Sequence, residues 1–84
     1  MKIETSLDWN NVQSQLNDQL DSIGYTPDLE KMLKNISRMV DELSKIEVNA
    51  RRIHNTNLTR DYLEKINKSI DHLEKLILIA RLMQ

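Results

Sequence analysis

The chain of 84 residues and 9.9 kDa has the size of one small domain, which buries only about 60% of the surface its unfolded form exposes. Apolar types make up 39% and charged types 30%, with one Gly, one Pro and no Cys, which excludes a disordered tail, a disulfide framework, thiol catalysis and thiolate metal sites and leaves a mostly helical protein. Twelve basic residues against 13 acidic ones, with a pI near 6.1, disfavour a protein that coats phosphate backbones.

The first helix is predicted over about residues 8–23, where Trp9, Val12, Leu16, Leu20 and Ile23 recur at three- and four-residue spacing and form one narrow stripe. Gly24 ends it, since a glycine past the last periodic residue adopts the left-handed conformation without steric cost. Thr26, Pro27 and Asp28 follow as N-cap, first helical residue and first-turn acid of a second helix. The outer face of the first helix carries Asn10, Asn11, Gln13, Ser14, Asn17 and Asp21, poor helix formers as a set, so this element depends on tertiary contacts and is expected to be the least stable of the three.

The second helix, predicted over about residues 27–53, is a strict heptad. Leu29, Ile36, Leu43 and Ala50 occupy one position, and Met32, Met39, Ile46 and Ile53 the position three later. The stretch His54-Asn55-Thr56-Asn57 interrupts the pattern. Thr59 is then the expected cap of a third helix over about residues 60–83, with Leu58 and Leu63 at the spacing of a hydrophobic staple. That helix repeats the heptad, with Leu63, Ile70 and Ile77 in one column and Ile66, Leu73 and Ala80 in the other.

Two long helices joined by a short loop form an antiparallel hairpin, in which residues whose numbers sum to about 113 face each other. Leu33 and Val40 add an apolar column beside the seam of the second helix, and Tyr62, Ser69, Leu76 and Met83 are the column expected to match it on the third. The first helix is expected to fill the groove between these columns. The predicted fold is therefore all-α: a long antiparallel helical hairpin with a short N-terminal helix packed on one end, a three-helix bundle with a coiled-coil-like heptad seam and a bare two-helix tip. The single domain spans residues 1–84.

Three apolar side chains lack a partner in this arrangement. Leu78, Ile79 and Leu82, on the back of the last two turns of the third helix, are the expected partner interface, and a homodimer or another protein is the expected way to cover them. A second surface is basic: Arg51, Arg52, His54, Arg60, Lys65 and Lys68 cluster near the hairpin tip and offer an alternative site for nucleic acid or a nucleotide ligand. Against it stand the acids Asp61 and Glu64 and the lack of aromatic residues other than Tyr62 for stacking, so nucleic acid is not the expected partner.

Catalytic groups do not converge. His54 and His72 are the only imidazoles, neither has a carboxylate or second His at metal-pair spacing, and Gly24 alone cannot build a phosphate cradle. The triplets at Asn35, Asn57 and Asn67 match a glycosylation pattern by chance. Acid-first pairs, Glu30 to Lys34, Glu64 to Lys68 and Asp71 to Lys75, support helix faces. The N-terminus lacks the apolar run of a signal peptide, and residues 76–80, the longest apolar stretch, fall far short of the roughly 20 residues that span a bilayer. The expectation is a cytoplasmic, non-enzymatic protein-interaction module without cofactor, metal or membrane anchor. It would act by occlusion or scaffolding, as a small adaptor, inhibitor or chaperone-like protein.

Overall fold

Each break in the apolar pattern becomes a helix end. A computed structural model describes residues 1–53 and 57–83, the side chains of 50–53 excepted. It contains a 3-10 turn Ser6–Asp8 and three helices: α1 (Trp9–Ile23), α2 (Pro27–Ile53) and α3 (Asn57–Leu82). The fold is the expected one, a long hairpin of α2 and α3 with the shorter α1 packed on it, and the described residues contain no strand.

Local chemistry accounts for the turn between α1 and α2. Gly24 adopts φ +89°, a region that favours glycine, and donates its N–H to Leu20 O at 2.8 Å. Its positive φ is as expected for a glycine past the helix end, while its ψ of 137° lies outside the left-handed helical region. Thr26 caps α2 by accepting the Leu29 N–H on Oγ1 at 3.3 Å.

The start of α3 differs from expectation. The helix begins at Asn57, so Thr59 is its third residue, and its buried hydroxyl has no hydrogen-bond partner among the described residues. Leu58 is half exposed and is the second residue of the helix, not the residue ahead of a cap that a staple with Leu63 requires. Asn57 takes part in the first turn, where its Oδ1 accepts from the Arg60 guanidinium at 3.3 Å.

The core is one cluster. Leu29, Ile36 and Leu43 of α2 and Ile66, Ile70, Leu73 and Ile77 of α3 are buried along the seam, and Leu33 and Val40 are buried beside it. Trp9, Val12, Leu16 and Leu20 of α1 complete the cluster. The other heptad column of α2, Met32, Met39 and Ile46, is only half buried. Burial therefore leans to one side of the hairpin, the side that α1 covers.

Residues 1–8, to which the apolar pattern assigns no role, form an ordered arm across the hairpin. Ile3 is 1% exposed and is part of the core. Its N–H donates to Asn67 Oδ1 at 2.8 Å, and Asn67 Nδ2 donates to Ile3 O at 2.9 Å, so one side-chain amide satisfies both backbone groups. The Met1 ammonium meets Glu74, and the Ser6 N–H and hydroxyl both donate to Glu47. Thr5 and Asp8 form a reciprocal capping box that turns the arm into α1.

These contacts correct two expectations. The arm lies against the α3 face marked by Asn67 and Glu74, and the column of Ser69, expected to receive α1, borders an open groove instead. In an antiparallel pair, the columns that follow the second core position of each heptad share one side of the seam. Leu33, Val40 and Glu47 therefore match Asn67 and Glu74, and the column with Ser69 falls on the opposite side. The tip is also less bare than expected, because residues 1–4 share a groove with Arg60, Leu63 and Glu64.

Candidate functional site

The final two turns of α3 leave the seam with apolar side chains on several columns. Leu78 is 53% exposed, Ile79 52% and Leu82 77%, so all three residues of the expected interface face outward. With steps of about 100° per residue, Leu78, Leu82 and Ile79 sweep about 100° of the helix surface. Met83, 82% exposed, extends that sweep towards half-buried Leu76. The patch is thus wider than the three residues suggest, and it is contiguous with the side of the hairpin opposite α1.

That opposite side holds a groove of about 500 Å³ lined by Met32, Ile36 and Met39 of α2 and by Lys68, Ser69 and His72 of α3. Its apolar floor follows from the heptad: the Met32 and Met39 column borders the seam, and no third helix covers it here. Ser69 leaves room for the groove because its short side chain turns back, donating its hydroxyl to Lys65 O at 3.1 Å. A second groove of about 580 Å³ lies between the N-terminal arm and α3, lined by Ile3, Leu63 and Asn67 and rimmed by both signs of charge.

The expected basic tip is only partly described. Arg51, Arg52 and His54 lie outside the described side chains. Arg60 is exposed and donates to Asn57 Oδ1 at 3.3 Å, and Lys65 and Lys68 are exposed on α3. Lys68 borders both grooves. Two of the expected acid-first pairs close, Glu30 with Lys34 at 3.6 Å and Asp71 with Lys75 at 3.1 Å. Glu64 and Lys68 instead flank the groove beside the arm.

The surface of α1 has the opposite electrostatic character. Tyr25, just beyond its end, donates its hydroxyl to Asn17 Oδ1 at 3.1 Å. Desolvation first, and the negative charge of Asp21 second, raise its phenol pKa above the ordinary value. Among the described residues no three His, Asp or Glu side chains come together as a metal site. No described helix is long and apolar enough to cross a membrane.

Sequence reasoning missed the arm. The signal was present as Thr5-x-x-Asp8, the spacing of a capping box, immediately ahead of the Trp9 stripe. Ile3 could not be placed by periodicity, because it lies outside any helix. No protein-family model, no curated protein and no solved structure matches this chain.

Proposed function

We propose that this chain is a non-enzymatic protein-interaction module that binds another protein, or a second copy of itself, through helical surfaces, acting by occlusion or scaffolding. The observation that carries this reading is the exposed apolar end of α3, where Leu78, Ile79 and Leu82 remain uncovered after the core is complete. Folding alone gives no reason to place three large aliphatic side chains in water on adjacent turns. A partner surface that buries them recovers about 25 cal/mol for each Å² removed from water.

The test uses paired surface changes in the full chain. Ile79→Asp should abolish co-purification of the protein bound from the native cell, whereas Arg51→Glu with Arg52→Glu should leave it intact. The opposite pattern, with loss of binding only on charge reversal, would support a phosphate ligand at the basic tip and remove the reading proposed here.

A further inference from the structure

The α2–α3 hairpin has two long grooves of different fate. The first is filled from within the chain by α1, an amphipathic helix whose buried face is Trp9, Val12, Leu16 and Leu20 and whose 15 residues contain Asp18 and Asp21 but no Lys or Arg. The second, floored by Met32, Ile36 and Met39, is open.

Charge is divided between the two sides. Residues 1–30 contain one Lys and six acids, while residues 31–84 contain eleven Lys or Arg and seven acids. On α2 the column beside the open groove is Asp28, Asn35 and Glu42, and one step further out Lys31, Arg38 and Lys45 recur once per heptad, all exposed. On α3, Lys65 and Lys68 are exposed on the facing flank, with Lys68 and His72 at the groove wall. Glu42, an acid on this side, pairs with Lys45 at 3.5 Å. The groove is therefore apolar in its floor, and its rim carries five Lys or Arg against the acids Asp28 and Glu42, a net positive charge.

We propose that the open groove is the docking site of an acidic amphipathic helix from a partner protein, which lies along the hairpin as α1 does on the other side and closes a four-helix layer. This rests on reading the chain as a protein-interaction module and specifies the partner's chemistry. The fit is helix-in-groove: apolar anchors at i, i+4 and i+7 enter between α2 and α3, and carboxylates on either flank meet the lysines and arginines. Methionine suits the floor because its unbranched side chain repacks around different anchors.

The chain does not supply this occupant itself. Two copies placed groove to groove would bring two net-positive rims together. The acidic outer face of α1 consists of Asn, Gln, Ser and Asp, since all five apolar residues of that helix are buried or half buried against the hairpin. Nucleic acid satisfies the rim but not the floor, where Met32, Ile36 and Met39 offer no aromatic face for stacking.

Two synthetic helical peptides of about 18 residues, with the same leucine face and either glutamate or lysine flanks, test the assignment against the isotope-labelled full chain. The glutamate peptide should bind at least about tenfold more tightly in low salt and shift the amides around Met39, Ser69 and His72. Lys65→Glu with Lys68→Glu should weaken it about tenfold, an effect that shrinks as salt rises. Met39→Glu should abolish binding. If that half-buried substitution unfolds the chain, as circular dichroism would show, the exposed lysine pair still decides.

Equal affinity for the two peptides, or no binding of either, would overturn the proposal. So would shifts confined to residues 9–23 or 78–82, or tighter binding of single-stranded DNA that the lysine pair reverses. Failure of the glutamate peptide with continued loss of association in Ile79→Asp would remove the groove and leave the broader function standing. Peptide binding lost in Met39→Glu and weakened by the lysine pair, with partner association intact in Ile79→Asp, would keep the groove and remove the α3 end.

Discussion

Asn67 does more for the fold than its place on a polar helix face suggests. A backbone segment buried beside a helix must find partners for its N–H and C=O, and here one amide provides both. The neighbouring Ile3 side chain supplies the apolar gain that holds the arm in place. Asn67→Ala should destabilise the chain by about 1–3 kcal/mol, because it leaves two backbone groups of a buried residue unpaired. Asn67→Asp retains the acceptor and loses the donor, so its cost should fall between wild type and alanine. Ile3→Ala should cost about 2–4 kcal/mol through lost burial and the cavity it leaves. Urea denaturation of the four proteins gives these differences directly, and equal stability of Asn67→Ala and wild type would mean that the arm contributes nothing. Such a pairing is not legible in sequence, because Asn67 sits 64 positions from its partner and its local pattern reads as solvent-facing helix or a chance glycosylation triplet.

At the scale of elements, α1 is held at both ends: by the turn at Gly24 and, through the arm, by Asn67, Glu74 and Glu47. Its own sequence favours the helix weakly, so its order depends on those ends and on four buried side chains. Trp9 is the chain's sole tryptophan and is buried at the junction of arm and helix, which makes its emission a reporter of docking. Ile3→Asp should release the arm, shift Trp9 emission to the red and speed amide exchange at Val12, Leu16 and Leu20, while amides near Leu43 and Ile70 stay protected. Loss of protection in α1 and the hairpin together would instead show one cooperative unit. The helices and their seam were legible because a heptad fixes element type, length and inward face at once. The side chosen by α1 was not. Leu33 and Val40 pointed correctly on α2, but on α3 the apolar column with Leu76 and Met83 looked greasier than the column with Asn67 and Glu74. Hydropathy favoured the first; antiparallel geometry, and an arm that needs polar partners, selected the second.

The whole molecule measures 49 × 18 × 16 Å, with a radius of gyration of 14.0 Å. A compact chain of this length would have a radius near 12 Å. Its accessible surface, 5912 Å², likewise exceeds the roughly 5,200 Å² of a compact monomer of this mass. A rod of paired helices cannot bury its own flanks and ends, and the surplus collects where apolar residues continue past the reach of α1: along the Met32 and Met39 groove and over the last turns of α3. Covering the α3 end with a second copy would remove part of that surplus without altering the core. Sedimentation of the isolated chain should then show a mass rising from 9.9 kDa toward twice that value as concentration increases, with a thermal midpoint that rises in parallel because only the folded state pairs. Leu82→Asp, at a position mostly in solvent, should hold the mass at the monomer value and leave the dilute-limit midpoint unchanged, separating association from folding. A wild-type mass that stays at the monomer value at every concentration would exclude self-pairing and assign the α3 end to a different protein.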